Sequence, residues 1–119
     1  MGRKQLIYDF TSIPSTNMST ASVTGEVSTV GQTDTVTFQV TWTGGQTTNG
    51  DFSVEASLDN VNWYALDFGA TMSMNTASDY IRAVITEVGF NYVRPKYTRT
   101  NGSATGTFIV KLFATTKGA

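Results

Sequence analysis

Two absences narrow the chemistry open to this 119-residue chain: it contains no cysteine and no histidine. Thiolate nucleophiles, zinc sites built on Cys or His, and Ser-His-Asp or Cys-His systems are excluded. The commonest general base near neutral pH goes with them. Carboxylates remain, and Asp51, Glu55, Asp59 and Asp67 are the residues from which a paired-carboxylate site could be built. Asp51 and Glu55 flank Ser53 on one side of an alternating run, where ordinary solvated charge accounts for them. Asp59, Asn60 and Asn62 could offer oxygens to Ca²⁺. Their spacing does not match an EF-hand loop and no bidentate Glu follows, and turn chemistry explains the same residues. We expect no metal, no cofactor and no enzymatic activity.

Aromatic and basic residues carry the remaining options. Trp63 and Tyr64 follow that turn directly and could form a platform for a sugar. A buried Trp at the start of a strand is the competing reading, and we place Trp63 in the core on that ground. Arg82, Arg94, Lys96 and Arg99 gather positive charge in the C-terminal half. With Tyr92 and Tyr97 they would form a basic-aromatic strip if their two strands are neighbours. Arg and Tyr are enriched at protein–protein hot spots, so the strip reads as an assembly interface or an anionic-ligand contact. A solvated face salt-bridged to Glu87 or Asp79 reads equally well.

These residues must be positioned by strands. Val36, Phe38, Val40 and Trp42 alternate with Thr35, Thr37, Gln39, Thr41 and Thr43, which predicts a strand with one buried face. A Gly- and Thr-rich loop, 44–50, leads to a second alternating run of Phe52, Val54, Ala56 and Leu58, and the two predict an antiparallel hairpin. Asp59 to Asn62 predicts a tight turn, and Trp63 to Phe68 a third strand. A short strand is expected near Thr71 to Met74, and another over Asp79 to Ile85. The run from Phe90 to Thr100 reads as a strand that Pro95 would push to an edge or a bulge. Asn101-Gly102 marks a hairpin into the last strand, Ala104 to Thr115. At the front, Gln5 to Phe10 reads as a strand, Thr11 to Ser19 as a loop, and Thr20 to Val30 as a strand around Val23 and Val27.

The sum is an all-β chain, a single antiparallel β-sandwich or jelly roll of roughly seven or eight strands. One domain spans 1–119, with a flexible arm at 1–5 and a tail at 116–119. The predicted core is Val36, Phe38, Val40, Trp42, Phe52, Val54, Ala56, Leu58, Trp63, Val93, Phe108, Val110 and Leu112. Eight Lys and Arg stand against nine Asp and Glu, and charged residues are only 14% of the chain. That balance lacks the basic face a nucleic-acid binder needs to displace counterions. No apolar run approaches the roughly 20 residues that span a bilayer. Leu6 to Tyr8 is too short for a signal-peptide core, so we expect a chain kept in the compartment where it is made.

Two stretches carry a family resemblance. Thr37 to Trp63 reads TFQVTWTGGQTTNGDFSVEASLDNVNW, and Asn91 to Gly118 reads NYVRPKYTRTNGSATGTFIVKLFATTKG. Together they resemble small β-sandwich virion proteins encoded in tailed-bacteriophage structural gene clusters. The resemblance implies a capsid decoration (cement) protein made in the host bacterial cytoplasm and localised to the virion. It implies a phage capsid or tail protein as partner and a homo-oligomer (a trimer or other ring); from the basic and aromatic residues themselves we expect Arg82, Arg94, Tyr97 and Arg99 as assembly contacts. The run from Ser57 to Trp63 also resembles the S-x-D-G-x-x-W corner of galactose-binding jelly rolls, with Asn60 where Gly is usual. That second likeness implies a tail, neck or fibre module binding host-surface carbohydrate through Asp59, Asn60, Asn62, Trp63 and Tyr64.

The strand register generates the first prediction. Phe38→Ala or Trp42→Ala should cost on the order of 3–5 kcal/mol in urea unfolding, because each would leave a cavity in the core. An unchanged unfolding midpoint for Phe38→Ala would show the register to be wrong.

Overall fold

Threonine alternating with large apolar residues dictates extended backbone with one dry face, and the structure is built of such segments throughout. The computed structural model describes the backbone of residues 4–117 and the side chains of 11–116. Ten strands lie among the described residues: β1 (Lys4–Asn17), β2 (Ser22–Thr24), β3 (Ser28–Thr29), β4 (Thr35–Thr43), β5 (Gly50–Ser57), β6 (Tyr64–Ala65), β7 (Met72–Met74), β8 (Asp79–Ile85), β9 (Tyr92–Arg99) and β10 (Thr107–Lys117). They form two antiparallel sheets. One has the order β1-β10-β4-β8. The other has the order β2-β9-β5-β6, with β3 also on β9 and β7 also on β5. Counting β2/β3 and β6/β7 as two broken strands leaves eight, in the alternating order of a jelly roll.

The alternation expected for β4 is correct. Val36, Phe38, Val40 and Trp42 are buried while the intervening residues face outward. Phe52, Val54 and Ala56 of β5 face them from the other sheet, with the Phe38 and Phe52 rings 6.4 Å apart. Phe108, Val110, Leu112 and Ala114 of β10 and Val93 and Tyr97 of β9 complete the central layer. Ile13, Met18, Val30 and Met74 close its ends, none of them among the residues expected there.

Several expectations are corrected. β4 and β5 are not a hairpin: they lie in different sheets, as do β9 and β10. The loops between them cross the sandwich. Gly106 sits in one such crossing at φ 85°, where a Cβ would come within 2.2 Å of the Thr43 carbonyl oxygen. Thr11 to Asn17 is not a loop but the continuation of β1 along β10. Register shifts at Thr11/Ile13 and Ile13/Thr16 absorb Pro14. Burial of Ile13 holds this irregular stretch to the sheet. Of the expected arm and tail, residues 1–3 and 118–119 lie outside the described residues, and the backbone of Lys4 and Gln5 pairs with that of Lys117 and Thr116.

Pro95 occupies an interior strand rather than an edge. Its carbonyl accepts from Gly25 N–H at 2.8 Å, so its nitrogen faces the same side. There β2 has ended and β3 has not begun, and no ladder donor is needed. Gly25 is required at that gap, because a Cβ would meet the Pro95 ring at 2.6 Å and Ile13 at 2.7 Å.

Three crossings converge on one buried residue. Asn49 Nδ2 donates to the carbonyls of Gln46 (2.9 Å), Met74 (2.9 Å) and Thr76 (3.1 Å), and Oδ1 accepts from Gln46 N–H (2.8 Å). Its own carbonyl accepts from the N–H groups of Thr100 and Asn101. One residue thus ties the β4–β5, β7–β8 and β9–β10 connections. Asn49→Ala should lower stability by on the order of 3 kcal/mol, since buried donors and acceptors lose partners. A denaturation midpoint equal to that of the unaltered chain would refute this role.

Candidate interaction surface

The segment after β5 shows how a turn can carry an exposed site. Ser57 Oγ accepts the Asn60 N–H at 2.9 Å and ends the strand. Asp59 then gathers the chain: its Oδ1 accepts the N–H groups of Val61 (2.9 Å) and Asn62 (2.8 Å), and its Oδ2 accepts Asn62 Nδ2 at 2.8 Å. These donors favour the charged carboxylate and hold its pKa well below the ordinary 3.8, led by the backbone N–H of Asn62. Asn60 takes a φ of 63°, a left-handed conformation that Asn tolerates, which is why this position accepts Asn or Gly. The tight turn expected over 59–62 is present, with Asp59 committed to holding it.

The turn displays apolar side chains. Leu58 is 62% exposed, Val61 76% and Tyr64 47%. Leu58 was expected in the core, by extension of the β5 alternation. The strand ends at Ser57, so the chain leaves the sheet before Leu58 can face inward. Trp63 was also expected in the core and is only half-buried. The returning chain begins to pair with β5 at Tyr64–Ala65, and Trp63 lies outside the sheet against Arg94. The buried tryptophan of this sandwich is Trp42, whose Nε1 donates to the Thr76 carbonyl at 2.9 Å.

Arg94 joins two groups of residues that the sequence held apart. It faces Glu55 across β5 and β9, and Nε donates to Glu55 Oε1 at 2.8 Å. Its guanidinium carbon lies 4.0 Å from the centroid of the Trp63 ring. The carboxylate orients the guanidinium and the guanidinium covers one face of the indole. The result is a supported patch, Glu55–Arg94–Trp63, at the end of the turn that exposes Leu58 and Val61, while Tyr64, opposite Ala56, belongs to the other face of the sheet. Arg and aromatic anchors of this kind dominate protein–protein contacts. A sugar platform fits less well, because Arg94 covers an indole face and the Asp59 oxygens are occupied.

The other expected interface residues are dispersed. Tyr97 is fully buried, and its hydroxyl donates to the Met18 carbonyl at 2.7 Å. Burial raises its pKa. Arg99 is near the other end of β9, donating to the Ser19 carbonyl at 2.6 Å. Arg82 is on β8, in the opposite sheet, so the basic-aromatic strip does not form. Strand neighbourhood decides the place of Arg82, while alternation along β9 separates Tyr97, on the Val93 face, from Arg94 and Lys96.

Asp51 and Asp67 line an open groove of about 560 Å³ beside β5, with Ser53, Phe68, Met72 and Thr98. Asp67 accepts the Gly69 N–H at 2.8 Å. Glu55 and Asp59 are held in the interactions above. Among the described residues, no group of three or more Asp or Glu side chains could hold a metal ion.

No protein-family model matches the chain, and no curated protein matches it. Its structure is similar to the crystal structure of the SPBc2 prophage-derived protein YomS. The TM-score is 0.62 at 21% identity, covering 98% of this chain and 96% of that one. Likeness at that identity establishes the shared all-β fold.

The Asp59 geometry fixes a pH response. A depressed carboxylate contributes stability above its unfolded pKa and loses it as pH falls through the folded value. The amide proton shifts of Val61 and Asn62 should therefore titrate with a midpoint below 3.8. A midpoint at or above 3.8 would show that the carboxylate does not hold the turn.

Proposed function

We propose that this chain is a non-enzymatic structural protein of a tailed-bacteriophage virion, a decoration protein that docks on a repeated site of the assembled head. The observation that carries the reading is the 58–64 corner. Two of the chain's exposed large apolar residues, Leu58 and Val61, lie in the segment that Asp59 braces, which leads directly into Trp63 and its stack on Arg94. Rigid aromatic and Arg anchors lose little freedom on binding, so a small patch can hold a partner. Repetition over a symmetric shell multiplies a modest contact. The sequence resemblance to phage virion proteins and the structural likeness to a prophage-derived protein support the same setting.

Pelleting with purified heads and, separately, purified tails of the parent phage tests this. Co-sedimentation with heads at a fixed copy number per capsomer is expected. Leu58→Asp with Val61→Asp should weaken it by at least tenfold, by about 1.4 kcal/mol or more. Both positions are exposed, so folding should be unchanged. Binding to tails alone would place the protein in a tail, neck or fibre. Full retention on heads by the doubly substituted chain would remove the corner from the interface.

A further inference from the structure

The sheet edges of this sandwich are unequal. β1, at one edge, is broken by three register shifts. The outer strands of the second sheet, β2, β3, β6 and β7, are two or three residues long. Short or bulged edges resist pairing with another chain. β8 is neither short nor bulged, and the bond that caps its edge, Tyr80 N–H to Asp79 Oδ1, is to an exposed side chain that a carbonyl of another strand can displace. It runs seven residues in unbroken register on β4, without proline or glycine, and has no strand on its other side among the described residues. Its outer face carries Tyr80, 62% exposed, and Val84, 42% exposed, on either side of Arg82. Asp79 Oδ1 accepts the Tyr80 N–H at 2.8 Å, which marks the even-numbered residues as those whose backbone groups point off the sheet.

We propose that β8 pairs antiparallel with β8 of a second copy, joining the two four-stranded sheets across a two-fold axis at Ile81. Residues directly opposite must share a face, so only registers joining even to even and odd to odd residues are allowed. The register of greatest overlap, centred on Arg82, sets Arg82 against Arg82 of the partner subunit, like charges directly opposed. Shifting the axis to Ile81 keeps Asp79 to Ala83 paired and sets Tyr80 beside the partner's Arg82, twice by symmetry. Shifting it to Ala83 keeps equal overlap but sets Arg82 against the partner's Val84. The Tyr–Arg pairing is the favourable one, since a guanidinium is attracted to the phenol ring. Self-complementarity names the occupant as this same chain. The two-fold is an alternative to the trimer or other ring that the resemblance implies, and it does not depend on the virion reading.

Sedimentation of the full chain over a concentration series tests the pairing. A reversible dimer is expected. Tyr80→Arg sets two cations opposite each other and should reduce association at least tenfold. The exchanged double variant, Tyr80→Arg with Arg82→Tyr, recreates the pair in reverse order and should restore it. Thermal unfolding of both variants should match the unaltered chain, because both side chains lie on the outer face. A monomer at all concentrations overturns the proposal. So does a dimer indifferent to Tyr80→Arg, or one that the exchange fails to restore. Protection of the β8 amides from hydrogen exchange only when phage particles are added also overturns it, and assigns the edge to a strand of a shell protein.

Discussion

The Asn49 side chain is the constraint on which the rest of this structure depends. A jelly roll sends nearly every connection from one sheet to the other, so its loops cannot satisfy one another as hairpins do. Buried backbone groups in those crossings need partners from elsewhere. The Asn49 side chain supplies both donor and acceptor from one buried position and ties the β4–β5 and β7–β8 crossings, while its backbone carbonyl meets the β9–β10 crossing. An apolar residue there would leave several groups unpaired, and a charged one would be costly to bury.

The consequences run along β5, which begins at the next residue. Fixing that start sets which residues face out, because a slip by one residue exchanges the two faces. With the observed start, Glu55 faces outward directly opposite Arg94. Arg94 is then oriented to cover Trp63, and Asp59 turns the chain so that Trp63 is within reach. The two ends of β5 thus divide the work. One end is closed by buried polar bonds, and the other displays apolar side chains on a self-contained turn.

Much of the fold was legible because it depends on local alternation. The β4 pattern, the apolar face of β10 and the Asp59 turn all follow from residue types within a few positions of one another. The failures are non-local. Leu58 and Trp63 fit the alternation of their runs, but strand length decided their burial, and nothing in the residues marks the end at Ser57 until the Oγ bond to Asn60 is seen. The Glu55–Arg94 pair joins residues 39 positions apart, and no spacing rule links them. Alternation along β9 puts Tyr97 on the face of Val93 and so makes its burial legible, whereas the Met18 carbonyl that accepts its hydroxyl is 79 positions away. Pro95 argues for an edge unless the neighbouring strand happens to break beside it. The candidate site was found as two halves, a turn with aromatics and a set of arginines. Of the arginines only Arg94 belongs, because sheet topology carries Arg82 and Arg99 elsewhere.

The docking role proposed for the corner has a direct physical readout. Backbone hydrogen exchange can be followed residue by residue on the free chain and on the chain bound to purified phage particles. Added protection centred on Leu58 to Tyr64, with little change at Arg99 or in the outer face of β10, is the expected result. Protection confined to other surfaces, with the corner exchanging as in the free chain, would contradict the proposed role.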